Sequence, residues 1–274
     1  MIDRTIYDIF RRGSRTYFYS TLFFPPAARE DVFALYSFVR TADDYVDAVP
    51  QEVEEFYALT ERYASAAAGE ATGDVVVDSF VELSGRKGFD PAWTEAFLHS
   101  MERDITVASY RTIRDLEDYL YGSSEVVGLM MARVLDLPAE SHIAAQNLGR
   151  AMQYVNFIRD IAEDLTLGRT YFPLDEMDLF GLDDLSAATA ARHPGRFGAF
   201  VRYQIGRYRA WQEQAETGFA FIPRRYLIPI RTASDMYRWT ARTIEHDPAI
   251  VHRRKVKPSV ARIVTGVTAN TLKA

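Results

Sequence analysis

The sequence predicts an all-α protein built as one domain over residues 1–274. Apolar residues recur at three- and four-residue spacing along most of the chain, and its breakers are short and fall between the periodic windows. From Ala28 to Val49, for instance, Val32, Leu35, Tyr36 and Val39 mark the buried stripe of an amphipathic helix, a period no strand would show.

Further helical windows follow over Val53–Ala68, Val75–Lys87, Pro91–Ala108, Ile113–Tyr121, Val126–Leu135, Ala139–Leu165, Pro194–Ile222 and Tyr226–Glu245, with a last helix over Arg262–Ala274. Between them stand Pro25-Pro26, Gly69 to Gly73, Gly85 with Gly88, Gly122-Ser123-Ser124, Gly168, Gly181 and Pro248. None of these breaks has the length of an interdomain linker, and no internal repeat or low-complexity tract divides the chain.

Composition narrows the function. A net charge of −6 supplies no broad cationic field for a nucleic-acid backbone, despite the local cluster Arg253, Arg254, Lys255 and Lys257. There is no cysteine, which excludes disulfides, thiol nucleophiles and sulfur-ligated zinc, and the five histidines are scattered. Met1 to Gly13 is punctuated by Asp3, Arg4, Asp8, Arg11 and Arg12 and has no signal-peptide core. With no run of about 18 apolar residues anywhere, the expectation is a cytoplasmic protein, at most peripheral to a membrane.

Two segments carry chemistry. Arg40-Thr-Ala-Asp43-Asp44-Tyr-Val-Asp47 sets Arg40, Asp43, Asp44 and Asp47 at i, i+3, i+4 and i+7, one continuous stripe on a helix. Gln153-Tyr-Val-Asn156-Phe-Ile-Arg159-Asp160-Ile-Ala-Glu163-Asp164 sets a second polar stripe opposite the apolar Met152, Val155, Ala162 and Leu165. Carboxylates spaced by four repel one another, so such stripes call for a neutralising cation. Oxygen-only ligands select Mg²⁺, with Mn²⁺ as an alternative, and Mg²⁺ characteristically bridges carboxylates to substrate phosphates. A diphosphate substrate follows, and a metal-assisted departure of diphosphate would leave an allylic carbocation. The 17 Phe, 16 Tyr and three Trp supply ring faces for a cavity holding such a cation, although most aromatics in any chain are simply core.

On these residues the sequence resembles the squalene/phytoene synthase family. The resemblance rests on Arg-x-x-Asp-Asp-x-x-Asp at 40–47, Asn-x-x-Arg-Asp-x-x-Glu-Asp at 156–164 and Gly168-Arg169-Thr-Tyr171-Phe-Pro173. It extends to Ser14-Arg15-Thr-Tyr17, Leu22-Phe-Phe-Pro25, Tyr121-Gly122, Val127-Gly128-Leu-Met-Met, Ile222-Pro223-Arg224-Arg225 and Tyr237, in the family's order.

The resemblance implies an isoprenoid-synthase helical fold around a central cavity. It implies Asp43, Asp47, Asp160 and Asp164 as catalytic Mg²⁺ ligands, joined by Asn156, with Asp44 and Glu163 as supporting acids. It further implies that Ser14, Tyr17, Arg40, Gln153, Asn156, Arg159, Arg169, Tyr171 and Lys257 bind the substrate, and that Tyr121 faces the reacting carbons or the leaving group. For Ser14 the competing role is a helix N-cap, for Lys257 a solvated charge, for Tyr121 a core ring.

The implied reaction joins two isoprenoid diphosphates head to head through a cyclopropylcarbinyl diphosphate. Val127 to Val134 resembles the prokaryotic phytoene type, which points to two geranylgeranyl diphosphates and to phytoene. Squalene or dehydrosqualene formation from farnesyl diphosphate is the alternative, and NADPH enters only with squalene. A head-to-tail prenyltransferase or terpene cyclase fits Asp43 to Asp47 alone but not Arg159-Asp160 with Glu163-Asp164. An inactive scaffold protein would be expected to have lost acids that are intact here. A long hydrocarbon product leaves for water at a cost of about 0.8 kcal/mol per methylene, so transient membrane-surface contact is expected. Monomer and homodimer are both open.

Overall fold

The computed structural model describes residues 2–273. Met1, Ala274 at the end of the expected last helix, and the Arg15 side chain of the Ser14 segment lie outside what is described. The helices are α1 Arg4–Gly13, α2 Arg15–Thr21, α3 Pro26–Asp47, α4 Val53–Ala67, α5 Val75–Lys87, α6 Pro91–Thr106 and α7 Ile113–Leu120. They continue as α8 Val126–Val134, α9 His142–Thr166, α10 Leu174–Leu179, α11 Ala187–Arg192, α12 Pro194–Glu216, α13 Arg224–His246 and α14 Val260–Lys273. The one extended pairing among the described residues is a single parallel bridge between Ser109 and Thr170.

Local chemistry explains where the helices start. Pro26, Pro91 and Pro194 stand in the first turns of α3, α6 and α12, where a missing N–H costs nothing and φ is already helical. Asp74 caps α5 by accepting from Val76 and Val77 N–H, and Thr112 with Asp115 closes a capping box on α7. The helices α1, α2, α10 and α11 were not expected. In α1 the charges are dense and Ile6 and Phe10 alone are buried, too sparse a stripe to register as a period.

The expected break at Gly122-Ser123-Ser124 is corrected to a widened helical turn. Tyr121–Glu125 forms a π-helical turn that joins α7 to α8 without interruption. Gly122 serves close approach here, since a methyl group at this position would overlap the Ala96 carbonyl oxygen and Ser100 Oγ of α6.

Two buried clusters flank a central space. One gathers Phe10, Phe33, Phe38, Phe80 and Phe97 from the N-terminal helices; the other gathers Tyr154, Phe157, Phe200, Tyr208 and Trp211 from the C-terminal ones. Between them, α3 and α9 form opposite walls of an apolar cavity of about 270 Å³. Val32, Leu35 and Val39 line it from α3, and Ala145, Leu148 and Met152 from α9. Gly122→Ala is expected to lower the unfolding free energy by about 1–3 kcal/mol, read as a lower urea midpoint with unchanged slope.

Candidate active site

The acidic stripes arrive at one end of this cavity because α3 and α9 each carry their acids in the last turns. Arg40 on α3 bonds Asp43 at 2.8 Å and also pairs with Asp44 one turn on. Arg159 on α9 grips Asp160 through Nε at 2.8 Å and Nη2 at 2.5 Å, and Lys255 approaches the same carboxylate at 3.2 Å while also pairing with Glu163.

Beyond α9 the chain turns at Gly168, whose φ of +73° is a left-handed conformation that suits glycine. The following residues are held extended by Thr170 N–H on Ala108 O at 2.8 Å and Leu174 N–H on Tyr110 O at 3.0 Å. This delivers Arg169, only 4% exposed, onto Asp47 of α3 at 2.6 Å and onto the Val46 carbonyl. Tyr171 accepts from Arg169 at 3.3 Å, donates to Asp104 of α6 at 2.8 Å, and stacks on Phe157 at 4.1 Å.

Electrostatics confirm that the acids face one another. Burial pushes Asp43 up to about 7, with Asp47 adding to it and Arg40 opposing. Burial also drives Asp164 well above the carboxylate range, reinforced by Asp160 on its own helix and by Asp47 across the gap. Among the described residues the Asp164 side chain forms no ion pair or hydrogen bond, and Asn156 Oδ1 is buried without a partner. Among the described residues, no three acids or imidazoles converge tightly enough to make a ready cage for a metal. The donor set therefore suits a hard divalent cation that takes few protein oxygens and completes its shell with water and phosphate. Asp43 and Asp47 on one wall, with Asn156, Asp160 and Asp164 on the other, are the residues that could hold it.

A polar mouth of about 190 Å³ lies beside these acids, lined by Ser14, Arg40, Asp43, Arg159, Tyr237 and Lys257 among others. It shares Tyr17, Tyr36, Val39, Ser123, Gln153 and Asn156 with the apolar cavity, so the two spaces adjoin. Ser14 has both of the roles read for it, since it caps α2 by accepting from Tyr17 N–H at 3.3 Å and also lines the mouth. Gln153 accepts from Asn156 Nδ2 at 3.2 Å, and the Tyr17 hydroxyl lies 3.2 Å from the Met152 sulfur. Arg169 and Tyr171 stand behind the acids and line neither space.

Tyr121 is not brought to the site. It begins the π-helical turn, is 40% exposed and lines neither space. The buried ring is Tyr119, two residues earlier, whose hydroxyl donates to Asp104 at 2.7 Å. Asp104, Tyr119, Tyr36, Tyr237 and Lys255 were not singled out as site residues. Asp104 is the buried acid of α6, pushed up to about 6 by burial against the pull of Arg169 and the two tyrosine hydroxyls. The one sequence signal was proximity to recognised segments: Tyr119 precedes Tyr121, and Lys255 stands in the basic cluster with Lys257.

Facing acidic helix ends beside cationic side chains, next to an apolar space, are the arrangement of an enzyme of the prenyl diphosphate-ionising class. The squalene/phytoene synthase family model matches residues 10–262, and the chain belongs to that family, whose members are head-to-head prenyltransferases. The 15-cis-phytoene synthase of Synechococcus elongatus is 28% identical over 265 residues, covering 90% of this chain and 85% of that protein. The 15-cis-phytoene synthase of Paracoccus sp. is 27% identical, covering 91% and 84%. Among solved structures, a dehydrosqualene synthase superposes with a TM-score of 0.82 at 21% identity over 98% of this chain and 94% of its own. A squalene synthase from Alicyclobacillus acidocaldarius gives 0.76 at 23% identity over 88% and 93%. At these identities the structures share the fold.

Three substitutions separate charge from scaffold. Asp43→Asn and Asp160→Asn are expected to end turnover with helicity and melting nearly unchanged. Asp164→Asn, which removes a half-buried carboxyl whose ionisation is opposed by burial, Asp160 and Asp47, should raise the melting temperature of metal-free protein by an amount that grows as pH rises, reaching a few degrees or about 1 kcal/mol. A lower melting temperature would make that carboxylate structural. A separate pair, Tyr119→Phe and Tyr121→Phe, should differ in steady-state rate, with only the first losing activity.

Proposed function

We propose that the protein condenses two geranylgeranyl diphosphates head to head to phytoene through prephytoene diphosphate, a cyclopropylcarbinyl diphosphate. The observation that carries this reading is the adjacency of the polar mouth and the apolar cavity across shared lining residues, which matches a charged head joined to a long hydrocarbon tail. The named activity of the curated relatives supports the C40 product over squalene or dehydrosqualene.

Arg40, Arg159 and Lys257 at the mouth supply donors for diphosphate oxygens, Arg in the planar geometry suited to bidentate contact and Lys as a point charge. Ser14 and Asn156 add neutral donors. A divalent cation, Mg²⁺ or Mn²⁺, held by Asp43, Asp47, Asn156, Asp160 and Asp164, would neutralise charge on the departing diphosphate. The Tyr17 and Tyr36 rings stand where the two spaces meet, positioned to offer their faces to the allylic cation left behind. The apolar lining excludes water, which would otherwise capture that cation.

Arg169 acts from behind. By holding Asp47 and, through Tyr171, sharing in the support of Asp104, it fixes the acid wall of α3 while the substrate changes charge. The first diphosphate leaves as the second substrate is alkylated, and loss of one proton closes the cyclopropane ring; the cyclopropyl intermediate then loses the second diphosphate at the same mouth, and the rearranged cation loses a second proton to give the product. No external reductant is required on this route. The finished hydrocarbon is delivered to a membrane surface.

The test is incubation of purified protein with Mg²⁺ and either farnesyl or geranylgeranyl diphosphate, with and without NADPH, followed by mass analysis of extracted hydrocarbon. A C40 product independent of NADPH is expected. A C30 product would move the protein to the squalene or dehydrosqualene reaction, and no product from either substrate would revive a non-catalytic scaffold.

A further inference from the structure

We propose that the apolar end of the cavity is framed by a membrane-docking rim that seats on an anionic lipid bilayer. The rim is formed by Leu22, Phe23, Ile143 and Phe221 with Arg224 and Arg225. It takes from the reading above only that the product is a long hydrocarbon.

Three chain segments wall the cavity away from the acids, and each carries large apolar side chains turned to solvent. Leu22 and Phe23, the latter 46% exposed, lie between the wall residues Thr21 and Phe24. Ile143, 74% exposed, lies between Ser141 and Ala145, and Phe221 directly precedes Ile222. Tertiary contacts draw the segments together. The Phe24 ring sits 6.1 Å from Tyr226 at the start of α13, and Gly218 packs so closely on Ala144 that an added methyl would overlap it. Scattered single exposed apolar residues are ordinary on any surface, whereas a set bordering the end of a hydrocarbon-sized cavity marks an interaction surface.

Charge selects the occupant. Between Glu216 and Asp235 the chain has no acid but carries Arg224, Arg225 and Arg231, in a protein whose net charge is −6. Arg224 and Arg225 are exposed at the start of α13, Arg225 lying over the Tyr226 ring at 4.7 Å. On the neighbouring rim segment, Asp136 is engaged by Lys87 at 3.0 Å, which leaves the exposed Glu140 as the acid set against Arg224, Arg225 and Arg231. Apolar side chains with flanking arginines are the composition that inserts into the headgroup region of an anionic membrane. A rim of this kind lets a C40 chain pass from cavity to acyl chains without crossing water, where each exposed methylene costs free energy.

The experiment is co-sedimentation of the full-length protein, without substrate, with phosphatidylcholine vesicles and with vesicles containing phosphatidylglycerol. The wild type should bind the anionic vesicles and bind the zwitterionic ones weakly. The double variants Phe23→Asp with Phe221→Asp, and Arg224→Glu with Arg225→Glu, should each bind the anionic vesicles about tenfold less. Leu179→Asp, at a still more exposed apolar position on α10, should bind as the wild type does. Circular dichroism and melting temperature confirm that each variant is folded. Absence of wild-type binding, retained binding by both rim variants, or equal loss in Leu179→Asp overturns the proposal. Product formation in detergent, measured on the same samples, reports separately on the proposed reaction, so a failure of one is not mistaken for a failure of the other.

Discussion

Acid crowding at the joined ends of α3 and α9 is the constraint to which the rest of the structure answers. Asp43, Asp44, Asp47, Asp104, Asp160, Glu163 and Asp164 outnumber the cations set among them, Arg40, Arg159, Arg169, Lys255 and Lys257. Burial and mutual repulsion both oppose ionisation, as the upward displacement of Asp43, Asp104 and Asp164 records. Arg40 pairs with Asp43 and Asp44, Arg159 with Asp160 and Arg169 with Asp47, while Asp164 feels Arg169 without an ion pair of its own among the described residues. A protein tolerates such an arrangement where a ligand supplies the missing positive charge.

The fold keeps that arrangement from collapsing. Two separate buried clusters hold α3 and α9 apart with a cavity between them, and the turn after α9 reaches across to clamp Asp47 through Arg169. Asp104 and its two tyrosines tie α6, α7 and this turn into one polar layer. The polar mouth beside the acids adjoins the space where a hydrocarbon tail would lie, so charge and shape point to one class of substrate.

The acidic stripes were legible because helical spacing alone places 40, 43, 44 and 47 together, and 156, 159, 160, 163 and 164 likewise. Val75–Lys87 was read to its ends, with Asp74 as cap and Gly88 as left-handed stop. Tyr121 misled because it stands two residues after Tyr119 and so on the opposite face of the helix, and Tyr119, not Tyr121, points inward. Asp104 was illegible for another reason: its partners lie 15 and 67 residues away, and no local period announces a contact of that range. The small helices α10 and α11, six residues each, offer too few turns for a periodic signal.

The most direct test of the central claim is a crystal structure with Mn²⁺ and a non-ionisable prenyl diphosphate analogue, in which anomalous scattering locates the metal. The account predicts metal about 2.0–2.2 Å from carboxylate oxygens contributed by both α3 and α9, with the diphosphate between them and Asp164 engaged. Metal bound on one helix only, or a diphosphate seated away from both acidic ends, would contradict it.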